Sequence, residues 1–280
     1  MGSITALNRS WRGNFKLGSN LLNMRIELVF IVSLCINSYT FAQPVHYTAA
    51  NAHSHNNYAQ PAIFWNAYNQ QYGSIEADVL LLPDSTNLWV GHNTEDLKLE
   101  NRSLDTLYLV PLQNCIKRNN GFVYADHSRK LQLMIDIKTK AAPTLKRLVK
   151  LIEKYPELVN TPSLKFVISG NRPDPNSFAA YPSFIWFDGE PDSSYSEAAL
   201  AKIAMMSAPL SRYSKWNGKK VMPENENKTV VALIDKVHKL KKPIRFWAAP
   251  DGIDAWKMLM QLGVDYINTD RINELAQFLK

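Results

Sequence analysis

Two carboxylates stand two residues apart in the stretch SIEADVLL, at Glu76 and Asp78. On a strand, residues i and i+2 point to the same face, so the pair faces one way and its charges repel. One divalent cation that prefers hard oxygen ligands, Mg2+ or Ca2+, relieves that repulsion. LQLMIDIK repeats the spacing with Asp136 and Lys138. Asp136 is a candidate third carboxylate for the cation, and Lys138 a candidate contact for an anionic substrate group. Taken singly, either pair is equally consistent with ion pairing that caps a strand.

Histidines fall beside these carboxylates. His53 and His55 lie in AHSHNNY, and His92 lies in WVGHN, 16 residues after Glu76. Imidazole exchanges protons near neutral pH and suits general acid and base work. His46, His127 and His238 lack such a setting. His238, in the basic segment KVHKLKK, is expected to be solvated.

The elements that must position these groups recur along the chain. Strand-like runs occupy 47–53, 74–81, 131–138, 164–170, 184–189, 203–208, 244–249 and 264–269, with a short run at 88–93. Amphipathic segments lie between them at 62–72, 142–155, 226–242, 252–263 and 272–280. Eight strands alternating with helices predict an α/β fold with a parallel sheet, closed as a (β/α)8 TIM barrel. An open doubly wound sheet is the competing arrangement. A barrel gathers its chemistry at the carboxyl ends of its strands, where the residues above fall. Asp188 and Trp247 also stand at strand ends, and Arg172 follows one. By strand alternation half of Trp186, Phe187, Phe246 and Trp247 face outward.

The 280 residues are 46% hydrophobic and 20% charged, which excludes wholesale disorder, and two cysteines exclude a disulfide scaffold. Met24 to Ala42 has a positive start, a short apolar run and small residues at its end, the pattern of a secretory signal peptide. The expectation is a leader over 1–42, one domain over 43–280 and an extracytoplasmic protein, periplasmic or secreted. The leader carries +3 of the formal +7, leaving +4 over 238 residues and one thiol, Cys115. The basic residues are scattered and no nucleic-acid-binding motif appears, so no nucleic-acid partner is expected. No stretch suggests stable membrane insertion.

The ordered set resembles the phospholipase-C-like phosphodiesterases. SHNNY (54–58) is similar to a segment of the phosphatidylinositol phospholipases, and SIEADV followed by LWVGHN is similar to glycerophosphodiesterase motifs. RFWAAPDGIDAWKMLMQLGVDYINTD resembles their last two barrel strands. The nearest resemblance is to secreted bacterial glycerophosphodiester phosphodiesterase-like proteins. It implies a metal-dependent phosphodiester hydrolase, with Glu76, Asp78, Asp136 and Asn56 as metal ligands. It implies His55 or His53, together with His92, as catalytic acid and base. Lys138, Trp247 and Arg172 become candidate substrate contacts, the last read from its place after the fourth strand. The implied substrate is a small phosphodiester or a lysophospholipid-like molecule.

The chain departs from the family in having Asp136 where many relatives carry Glu, and Asn93 where an Asp usually follows the second His. The alternatives are a phospholipase or sphingomyelinase D-type lipid phosphodiesterase, with Met205 or Met206 beside Trp247 in an apolar mouth, and a non-catalytic phosphate- or sugar-binding barrel. A glycoside hydrolase needs two carboxylates flanking the bond; Ser169 and Trp247 stand where these are expected.

Overall fold

A computed structural model describes residues 46–83, 86–98 and 102–280. The expected leader and its signal-peptide stretch lie outside these residues. The strands are β1 (Ala52–Ser54), β2 (Ser74–Leu81), β3 (Leu88–Val90), β4 (Leu131–Ile137), β5 (Leu164–Gly170), β6 (Ile185–Gly189), β7 (Ile203–Pro209), β8 (Ile244–Trp247) and β9 (Ile267–Thr269). Eight pair in parallel in the order β8-β7-β6-β5-β4-β2-β1-β9, and a bridge between Arg245 and Tyr266 joins the two ends. β3 folds back antiparallel on β2. The result is a nearly closed (β/α)8 barrel.

Among the described residues eight α-helices accompany the strands: α1 (Trp65–Asn69), α2 (Val110–Arg118), α3 (Ala141–Ile152), α4 (Pro156–Asn160), α5 (Glu197–Ala201), α6 (Glu224–Lys239), α7 (Ile253–Leu262) and α8 (Ile272–Phe278). Helical spacing puts Leu145, Leu148 and Ile152 on one buried face of α3, and Val230, Leu233, Ile234 and Val237 on one of α6. These faces meet the outward-pointing strand residues, such as Ile75, Ala77, Val79, Leu133, Ile135 and Phe166, in one core.

The other strand face fills the barrel. Met134, Val167, Ala204 and Met205 form a separate buried cluster with Trp186 and Tyr266 against it. Above them the inward positions turn polar: Glu76 and Asp78, then Asp136, Ser169, Asp188, Ser207 and Arg245 are all buried or nearly so. Met205 therefore packs in the barrel floor and Met206 in the helix layer. Neither forms an apolar mouth. Phe187 and Phe246 face the helices.

Three local expectations change. The first strand shortens to β1 because Thr48 and Asn51 cap each other across a single turn at Ala49–Asn51. The helix after Pro61 shrinks to α1, whose N-cap Phe64 has a φ of 64°. The sequence pattern predicts no amphipathic segment between 88–93 and 131–138, yet α2 lies there, with Pro in its first turn, where the missing N–H removes no helical bond.

His238 is not solvated. Its Nε2 lies 2.8 Å from Asp265 Oδ2, which also accepts from the Ile244 N–H at 2.8 Å. Burial raises the Asp265 carboxyl, and His238 partly offsets this. A raised carboxyl costs folded-state stability as pH climbs from the ordinary carboxylate value through the raised one. His238→Ala removes the offset and extends that loss upward. Urea titration should show a deficit of about 1–3 kcal/mol near neutral pH that shrinks toward pH 4. A pH-independent deficit would contradict this account.

Candidate active site

Parallel register sets the centre of the site. Asp78 and Asp136 are direct partners on β2 and β4, and Asp136 pairs onward with Ser169 on β5. With Glu76 two residues below Asp78, one carboxylate oxygen from each of Glu76, Asp78 and Asp136 lies within 4.8 Å of the others. Burial and the neighbouring Glu76 charge push Asp78 above the usual carboxylate range. Lys138 Nζ stands 3.0 Å from Asp78 Oδ2, and the buried Oδ1 has no hydrogen-bond partner among the described residues. Lys138 is also 3.1 Å from Asp136, and these two carboxylates hold its ammonium charged against the cost of burial. Three converging hard oxygen donors, crowded and short of hydrogen-bond donors, fit a divalent cation such as Mg2+ or Ca2+.

Gly170 fits closely against this cluster. It has a φ of 66°, and a Cβ there would stand 2.0 Å from Asp136 Oδ1. Any side chain at 170 would displace Asp136.

The two N-terminal histidines have different surroundings. His53 is fully buried, with Nδ1 2.8 Å from Ser74 Oγ and Nε2 2.9 Å from Glu76 Oε2. Burial, together with the Arg245 charge, pushes its pKa down to about 3, so the ring is neutral. His55 lines a cavity of about 590 Å³ over the strand ends, shared with Glu76, Asp136, Lys138 and His92. Its Nδ1 is 2.9 Å from Asp270 Oδ1, and its Nε2 is 4.0 Å from Glu76 Oε1. Burial opposes its protonation, but the Asp270 hydrogen bond and the Glu76 charge outweigh it and raise the pKa. Asn56 Nδ2 also lies 2.9 Å from His55 Nδ1, so Asp270 and Asn56 together fix the ring with Nε2 turned toward Glu76.

Asn56 adopts the left-handed conformation, with a φ of 45°. Its Oδ1 accepts from the Tyr58 hydroxyl at 3.1 Å, and its Nδ2 donates to Asp270 at 3.3 Å. His92 is exposed on the loop after β3. Asn93 Oδ1 accepts from the N–H groups of Glu95 and Asp96, while Asp96 Oδ2 accepts from those of His92 and Asn93. Asn93 thus shapes the loop that carries His92. Arg102 fastens this excursion from behind, donating to the carbonyls of Val90 and Tyr58 at 3.0 Å each.

Trp247 stands at the cavity rim, 42% exposed. Arg172 also borders the cavity, with Nη2 2.7 Å from Glu190 Oε1 and Nη1 on the Asp188 carbonyl. Sequence reasoning missed Arg245 and Asp270. Arg245 is 4% exposed and donates to Glu76 Oε2 at 2.8 Å and Ser207 Oγ at 3.1 Å. The signal for it was strand alternation: it lies two residues before Trp247, on the same face. Asp270 ends the TD pair after β9, adjacent to β1 in the barrel.

The fold is a (β/α)8 barrel with an acidic cluster at its strand ends, and parts of the chain resemble phospholipase-C-like phosphodiesterases. Residues 43–158 match the AIM6-like phosphodiesterase domain, and residues 243–271 match the glycerophosphoryl diester phosphodiesterase family. The chain is similar to Altered inheritance of mitochondria protein 6 of Kluyveromyces lactis, 26% identical over 81% of this chain and 72% of that protein. The protein of the same name from Eremothecium gossypii is 24% identical over 81% of this chain and 68% of its own length. The fold is shared with a Ca2+-dependent phosphatidylinositol-specific phospholipase C from Streptomyces antibioticus. That likeness has a TM-score of 0.51 at 13% identity and covers 83% of this chain and 97% of that one.

The fungal relatives overturn one expectation. Relatives from fungi with a name that refers to mitochondria point away from a secreted bacterial protein, which corrects the extracytoplasmic placement read from residues 24–42. Among the described residues no helix is long and apolar enough to cross a membrane.

Proposed function

We propose that this chain is a metal-dependent phosphodiester hydrolase acting on small glycerophosphodiester-type substrates, with His55 and His92 as its proton-transfer groups. The observation that carries the reading is the placing of Glu76, Asp136, Lys138, His55 and His92 around one cavity, with Asp78 in the same acidic cluster. Glu76, Asp78 and Asp136 would hold the cation, with Asn56 beside them. When bound, the cation supplies Lewis-acid neutralisation of phosphate charge.

The chain's own groups do the rest. Lys138 offers a point charge to a phosphate oxygen. His55, oriented by Asp270, accepts the proton of the attacking hydroxyl at Nε2, and His92 protonates the leaving oxygen from the loop after β3. His53, sealed beneath Glu76, acts as a support and not as a proton carrier. Trp247 offers a flat apolar face to the leaving group.

The test is hydrolysis of glycerophosphocholine, whose alkoxide leaving group needs a proton, with Mg2+ or Ca2+. Activity is expected to vanish in EDTA and to return with the cation. His55→Ala and His92→Ala should each lower kcat by about 10²–10⁴-fold. An unchanged rate in His92→Ala would overturn the assignment.

A further inference from the structure

A second cavity of about 370 Å³ adjoins the first. Gly170, Arg172, Asp188 and Glu190 border both, so the Arg172–Glu190 ion pair is part of their common wall. Accepting the main cavity as a phosphodiester site, we propose that the second is a subsite for a further anionic group of the substrate. That group is a phosphate joined to the scissile phosphodiester by a short polyol bridge. Arg172 receives it when Glu190 lets go.

Three observations carry this. The Glu190 side chain is 47% exposed, and an ion pair with an exposed partner contributes little and exchanges readily. Arg172 stays anchored through Nη1 on the Asp188 carbonyl, so its fork remains in place to take a phosphate at two points. Asp188 is 2% exposed, and its Oδ1 has no hydrogen-bond partner, whereas Oδ2 accepts from Ser169 at 3.0 Å. Asp188 borders both cavities, so a hydroxyl on the bridge that displaces the cover over this acceptor can donate to it. Asn171, Ser193 and Tyr195 give the second cavity a polar lining, which suits a polyol phosphate and not an acyl chain.

The test compares two probes by titration calorimetry on the intact chain in a His92→Ala background with Mg2+ or Ca2+ present, so that the cation site is filled while turnover is slow. Glycerophosphoglycerol carries one phosphate and bis(glycerophospho)glycerol carries two. The second is expected to bind about tenfold more tightly, beyond the roughly twofold gain from having two equivalent phosphates. Ser193→Trp, which fills the cavity from an exposed loop, and Arg172→Met should each bring the ratio down to about two. A ratio near two without these substitutions, or a tenfold ratio that survives both, would overturn the subsite. A tenfold ratio beside a parent protein that cleaves neither probe fails the proposed function and keeps the subsite. A parent that cleaves glycerophosphoglycerol, beside a ratio near two, does the reverse.

Discussion

Replacing Arg245 by methionine is expected to lower the unfolding free energy by about 3–5 kcal/mol, the usual loss when one member of a buried ion pair is removed. Glu76 is 3% exposed and Asp188 2%. The guanidinium gives Glu76 a 2.8 Å hydrogen bond, stands 3.8 Å from Asp188 Oδ2, and also reaches Ser207 and Asn268. Methionine keeps much of the volume and none of the charge. Glu76 then relies on His53, whose ring is neutral, and Asp188 loses its nearest cation. The double variant Arg245→Met, Glu76→Leu removes both members of the pair and should recover a large part of the loss. Urea unfolding of the single and double variants reads both effects. A single-variant loss under about 1 kcal/mol would show that water reaches this network.

Asp78→Asn is expected to remove cation binding and about 10³-fold or more of the hydrolytic rate, in line with the several kcal/mol that a metal supplies to transition-state charge. Its effect on stability should run the other way. Asp78 is a crowded carboxylate raised by burial and by Glu76, so neutralising it relieves repulsion that Lys138 only partly offsets. The variant should therefore unfold at equal or higher urea than the cation-free parent while its calorimetric affinity for Mg2+ or Ca2+ is lost. Cation affinity unchanged by Asp78→Asn would remove this carboxylate from the metal site.

Much of this site was legible in the sequence because strand alternation is a strong rule. Glu76 with Asp78, and Asp136 with Lys138, announce a shared face at two-residue spacing, and register then makes Asp78 and Asp136 neighbours. Arg245 obeyed the same rule, but it lay in a run whose aromatic residues drew attention to packing. The choice between His53 and His55 was not legible. One ring disappears beneath Glu76 and the other meets Asp270, more than 200 residues away in the chain. The partner of His238 was hidden for a related reason: a basic helical segment looks solvated until the strand beside it contributes Asp265. The shortened first strand and α1 reflect local caps and left-handed residues, which outweigh hydrophobic spacing over so few residues.

The barrel's circular order has a consequence for how such a protein diversifies. β9, β1, β2 and β4 are contiguous and carry Asp270, His55, Glu76, Asp78, Asp136 and Lys138 at or just after them. β5 to β8 form the other arc and carry Arg172, Asp188, Glu190, Arg212 and Trp247. On the proposed function, reaction and recognition occupy opposite halves of one ring, joined along the β4–β5 pairing and, across the nearly closed seam, by Arg245 reaching from β8 to Glu76. Loops on the recognition arc can change in length and character while the reacting half keeps its geometry. Drift in substrate choice should therefore collect after β5 to β7, and loss of activity should trace to the other half or to the arginine that spans the divide.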